Sequence, residues 1–105
     1  MTYTLIDDLT ADLDVPADGT LSRVLAKHGP VRLVAFAFDA GEELTEHTAS
    51  VPVIVQMISG AVSIELSGER HLLGPRSWLY LDAGEPHSVY AEEPARMLLT
   101  MIRAS

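Results

Sequence analysis

Apolar and polar residues alternate along most of this chain in short runs that turn-forming residues interrupt. Residues 20–27 (TLSRVLAK) stop at HGP, 31–38 (VRLVAFAF) at DAG, 51–58 (VPVIVQMI) at SG and 61–66 (AVSIEL) at SGE. Residues 70–73 (RHLL) stop at GP, 77–81 (SWLYL) at DAGEP and 87–91 (HSVYA) at EEP, and 95–102 (ARMLLTMI) close the series. Short runs rich in β-branched and aromatic residues, punctuated by Gly and Pro, predict eight or so strands of an all-β sandwich or barrel. No stretch between them is long enough for the helical crossovers of a parallel sheet.

Two of these runs are apolar on both faces. In VRLVAFAF, the Val31/Leu33/Ala35/Ala37 face and the Val34/Phe36/Phe38 face are both greasy, and ARMLLTMI behaves alike. A strand that buries both faces has something packed on each side. One side is the interior, and the other predicts a second sheet or a second copy of the chain, so a homodimer is expected. The first eighteen residues differ. They are rich in aspartate, with Leu5, Leu9 and Leu13 recurring every fourth residue, which predicts a short helical turn that Pro16 ends. Residues 1–18 are therefore expected to be a solvated lead-in that lays a few leucines on the body, and residues 19–105 a single domain.

Composition narrows the function classes. A chain of 105 residues has room for one domain, and 48% apolar residues predict a packed core. A net charge of −8 argues against nucleic acid and against anionic membranes as partners. With no cysteine, disulfides, thiolate ligands and thiol nucleophiles are all excluded. The N-terminal residues lack the basic-then-apolar pattern of a signal peptide, and no apolar run approaches the roughly 20 residues of a membrane-spanning helix. A cytoplasmic protein is the expectation. No nucleophile elbow and no phosphate-cradling glycine loop appears.

The most informative stretch is residues 41–60, GEELTEHTASVPVIVQMISG, together with residues 74–91, GPRSWLYLDAGEPHSVYA. Gly41, His47 and Gly60 in the first, and Gly84 and His87 in the second, resemble the two consecutive motifs of the cupin superfamily. The resemblance covers about residues 20–102. It implies an all-β, cupin-type double-stranded β-helix, a jelly-roll barrel, with a cluster of imidazole and carboxylate ligands on the inward face. Such a set suits Mn, Fe, Ni, Cu or Zn. Here Ala49 holds the position of the second histidine of the first motif and Val53 that of its glutamate. In the second motif Asp82 holds the proline position and Ala91 the asparagine position. Only His47 and His87 remain as metal ligands, so any divalent transition metal is expected to be weakly held.

Strand alternation places Val53, Val55, Met57 and Val89 inward with His47 and His87, together with some of Phe36, Phe38, Trp78 and Tyr80. Gln56 alternates outward unless a bulge intervenes. The resemblance implies a role for it in a His–Gln–His pattern, and it is counted with the ligand pocket. Glu43, Glu46 and Glu85 are weak supplementary donors, and Asp82 reads as a turn former. His28 and His71 read as exposed residues without a role. The expected pocket is mostly apolar, with two imidazoles as polar anchors, and fits a small, partly apolar organic molecule. Three functions follow as expectations: a small-molecule-binding cupin with or without a divalent metal, a metal-dependent cupin enzyme of dioxygenase, isomerase or decarboxylase type, and a non-catalytic sensor or dimerisation module.

Overall fold

The computed structural model describes residues 2–103. Nine antiparallel strands form: β1 (Thr20–His28), β2 (Val31–Phe38), β3 (Glu43–His47), β4 (Val53–Ser59), β5 (Val62–Leu66), β6 (Glu69–Leu73), β7 (Trp78–Leu81), β8 (His87–Ala91) and β9 (Ala95–Ile102). They make a five-stranded sheet, order β1-β2-β9-β4-β7, and a four-stranded sheet, order β3-β8-β5-β6. The two sheets pack as a jelly roll without a hydrogen-bonded seam that would close them into a continuous cylinder. Among the described residues no helix is long and apolar enough to cross a membrane.

Eight of the nine strands coincide with the patterned runs, with ends that move by one or two residues. The ninth, β3, is not announced by its pattern. Its sequence ELTEH offers one apolar residue, Leu44, and the rest of the strand is exposed. It is an edge strand that hydrogen-bonds only to β8, and an edge needs little apolar content to pair.

The main core lies between the sheets. Phe38, Val53, Val55, Met57, Val62, Ile64, Val89 and Met97 are buried there. These are inward residues of β2, β4, β5, β8 and β9, which point every second side chain into the same space.

A second, smaller core lies on the outer side of the five-stranded sheet. Ala35, Ala37 and Leu98 pack there against Leu13, with Leu9, Val15 and Leu21 at its margin. This explains the two-sided patterning of β2 and β9: the chain's own N-terminal segment covers part of the second face. The segment has turns at residues 9–12 but not the helical turn that the leucine spacing predicts. Asp8 forms its own turn instead, accepting from the Thr10 amide (2.9 Å) and the Thr10 hydroxyl (2.7 Å). These two donors hold the Asp8 carboxyl below the usual carboxylate range. A local side-chain turn of this kind competes with helix. Leu5 is exposed whereas Leu13 is fully buried, so only the later leucines serve as anchors. Two arginines tie the segment down: Arg96 Nε donates to the Leu13 carbonyl (2.8 Å) and Arg23 Nη1 to the Asp12 carbonyl (3.0 Å).

Candidate functional site

The histidine pair arises from one irregularity in β3. Leu44 pairs with Val89 and His47 with His87, so three steps along β3 match two along β8. Strict alternation would place Leu44 and His47 on opposite faces. The extra residue is a bulge that restores His47 to the side of Leu44. His87 opens β8 directly across from it, and the two rings stand 4.2 Å apart between centroids, tilted by 59°.

Both rings are held in the same manner. His47 Nδ1 lies 2.7 Å from the Thr45 carbonyl and His87 Nδ1 lies 2.9 Å from the Glu85 carbonyl. A carbonyl oxygen only accepts, so each neutral ring carries its proton on Nδ1 and leaves Nε2 as a lone-pair acceptor. Among the described residues no side chain or backbone group hydrogen-bonds to either Nε2. The Glu85 carbonyl is itself fixed by its turn, in which the Glu85 amide donates to Asp82 (3.2 Å) and the Gly84 amide donates to Ala49 (2.8 Å). That second bond links the turn before His87 to the loop after His47.

His47 is exposed and His87 is 5% exposed, so the pair runs from the surface inward. Beneath it is a cavity of about 40 Å³ lined by Phe36, Leu44, Val55, Ile64, Val89, Met97, Leu99 and the two histidines. A bound water needs about 10–15 Å³ and a drug-sized ligand about 300–1,000 Å³. The cavity therefore has room for an ion, a few waters or one end of an organic molecule, but not for a whole ligand of ordinary size.

Phe36, Val55 and Val89 stand where alternation places them, on the cavity wall. Val53 and Met57 face the same interior but lie in the packed core away from the histidines. Gln56, Trp78 and Tyr80 do not belong to the pocket, contrary to expectation. No bulge brings Gln56 inward: it pairs with Trp78, and Ile54 with Tyr80, on the outer face of the β4–β7 pair. Trp78 is 61% and Tyr80 46% exposed there. In β7 it is Leu79 and Leu81 that turn inward, because the strand takes up the opposite phase. Leu44 and Ile64 are wall residues that pattern reading missed. The alternation Val62/Ile64 against Ser63/Glu65 could have pointed to Ile64, whereas Leu44 depended on recognising β3.

No third donor joins the pair: among the described residues, no group of three His, Cys, Asp or Glu side chains converges as metal ligands. Glu43 and Glu46 are exposed, and Glu85 accepts from the Ser67 hydroxyl (3.0 Å). Ala49 packs against the core and Val53 is buried, so the two positions that carry ligands in the resembled motif supply only methyl groups. The residues present therefore do not fit a resident catalytic metal, which takes three protein ligands and an open position. His71 is exposed beside Glu69 (3.6 Å), and exposed His28 meets the Thr4 hydroxyl. Both lie apart from the pair.

Two antiparallel sheets packed face to face, with paired imidazoles at one end of the space between them, define a cupin fold. The chain shares this fold with solved structures of cupin proteins. A conserved protein of unknown function from Streptococcus pyogenes is similar with a TM-score of 0.86 and 27% identity, over 100% of this chain and 92% of that one. A cupin superfamily protein from Desulfitobacterium hafniense gives a TM-score of 0.85 and 21% identity, over 91% and 88%. KdgF from a Halomonas species gives 0.74 and 26%, over 87% and 86%. No family model and no curated protein matches the sequence.

Proposed function

We propose that this chain is a small-molecule-binding cupin whose ligand is anchored by the Nε2 atoms of His47 and His87. One observation carries the reading: both rings spend Nδ1 on a backbone carbonyl and present Nε2, without a protein partner, at an apolar cavity. Two neighbouring lone pairs at that point accept hydrogen bonds from a hydroxyl, an amine or a protonated acid. The cavity volume limits what enters to one small end of the ligand. Its bulk lies outside, over exposed His47.

A divalent transition metal of the Mn, Fe, Ni, Cu or Zn type, held by the same two nitrogens, is a second reading. It is favoured by the Nδ1–carbonyl bonds, since a ligating imidazole characteristically ties its other nitrogen to a carbonyl or carboxylate. With two protein donors such an ion is weakly held and exchanges readily. An enzyme of the metal-dependent cupin type needs a third donor that this site lacks.

The test is a thermal-shift screen of small acids, alcohols and amines, with a parallel arm of divalent metals, on the wild type and His47→Ala. His47 is exposed, so the variant keeps its fold. A ligand at 100 times its Kd stabilises by about 2.7 kcal/mol, and the variant is expected to lose that gain. Hits that stabilise both proteins equally would remove the histidine pair from the account.

A further inference from the structure

Of the seven Lys and Arg residues in this acidic chain, three meet in one cleft. Lys27 lies near the end of β1 and Arg32 near the start of β2, and strand register sets them opposite each other. Arg32 in turn pairs with Met101 on β9, so all three positions share one face of adjacent strands. Arg103 follows β9. Its amide donates to the Pro30 carbonyl (2.7 Å) and its Nη2 to the Gly29 carbonyl (3.3 Å), which pins it against the β1–β2 turn.

Lys27, Arg32 and Arg103 line a cavity of about 200 Å³, together with apolar Pro30, Val51 and Met101. No Asp or Glu lines it. Among the described residues none of the three cations forms a salt bridge, although fifteen carboxylate side chains are present in the chain. Like charges gathered without counter-charge raise the local potential and concentrate anions. Two guanidinium groups and an ammonium beside an apolar wall match an oxyanion on a short carbon frame.

The cleft adjoins the histidine site. Leu99 lines the histidine cavity and Met101 lines this one, two residues apart on the same face of β9, or about 7 Å at the usual strand rise. On β2, Phe36 of the histidine cavity and Arg32 of this cleft lie on one face as well, four residues apart, or about 13 Å. Ser50, three residues after His47 in the loop from β3 to β4, belongs to the wall of the cleft.

We propose that this cleft is an anion-binding site and the second half of the ligand site. The ligand is then a small organic acid, carboxylate or phosphate, whose charged group sits among Lys27, Arg32 and Arg103 while its other end reaches His47 and His87. The link to the histidines rests on the reading given under Proposed function, whereas the anion site itself does not.

The test is an amide NMR titration with inorganic phosphate and, separately, succinate, at fixed ionic strength. Saturable shifts are expected at residues 27–32, 50–51 and 101–103, in the wild type and in His47→Ala alike. Affinity is expected to fall at least tenfold in Lys27→Gln/Arg32→Gln and to stay unchanged in Arg70→Gln, which removes an exposed cation on β6 outside the cleft. The tighter of the two probes identifies the oxyanion class. Absence of saturable shifts, or equal weakening in Arg70→Gln, overturns the anion site and leaves the histidine reading untouched. Phosphate binding as expected, with succinate failing to move the ring signals of His47 and His87, supports the anion site and overturns its link to the histidines.

Discussion

Replacing Gly60 with alanine is expected to leave little folded protein. Gly60 makes the turn between β4 and β5 with φ of +71°, in the left-handed region that costs a residue with a Cβ about 1–2 kcal/mol. The surroundings add more. A Cβ there would lie 2.1 Å from the Pro94 carbonyl oxygen and 2.7 Å from the Ala95 Cα, both backbone atoms that no rotamer change can move aside. The start of β9 would have to shift, and β9 pairs with both β2 and β4 at the centre of the five-stranded sheet. The combined cost is about 4 kcal/mol or more, a large part of the roughly 5–15 kcal/mol that holds a domain folded. Gly68→Ala is the control. Its φ is +79°, but no atom lies within 4 Å of the added Cβ, so only the backbone cost applies. Thermal melts of the two variants should differ widely. Similar melting temperatures would mean that β9 is not packed on Gly60 as described.

Leu13→Ala is expected to lower stability by about 3 kcal/mol, in the lower half of the range for emptying a buried leucine site. For a domain of this size that is a fall of about 12–24 °C in Tm. Leu13 is fully buried against Ala35, Ala37 and Leu98, and its carbonyl accepts from Arg96. The two alanines are too small to close over the vacated space. Leu5→Ala, at an exposed site, should change Tm by no more than a degree or two. If Leu13→Ala were equally mild, the N-terminal segment would be an appendage and not a cover for the outer sheet face.

The fold was legible in the sequence because eight of its strands appear as short apolar-rich runs, seven of which stop at turns that contain Gly or Pro. What was hidden was set by geometry that leaves no mark in composition. ELTEH reads as a polar loop, yet it forms β3, because an edge strand needs only one inward residue. The β3 bulge then decides that His47, not Glu46, faces His87. The histidine pair itself could be proposed from motif spacing, but the locked Nδ1 atoms depend on turn carbonyls that no pattern predicts. Trp78 and Tyr80 were misplaced for a simple reason: SWLYL is apolar on both faces, so alternation could not choose between its two phases. The Leu79/Leu81 face went inward and left the aromatics outside. Lys27, Arg32 and Arg103 were invisible as a group, since only the β1-β2-β9 register brings positions so far apart in the chain into one cleft.

The measurement that bears most directly on the account is electron density between the two imidazoles in crystals of the protein as purified. A non-protein group is expected within about 3 Å of both Nε2 atoms, with each Nδ1 still on its turn carbonyl. Rings turned so that Nε2 bonds to protein atoms, with no group held between them, would contradict it.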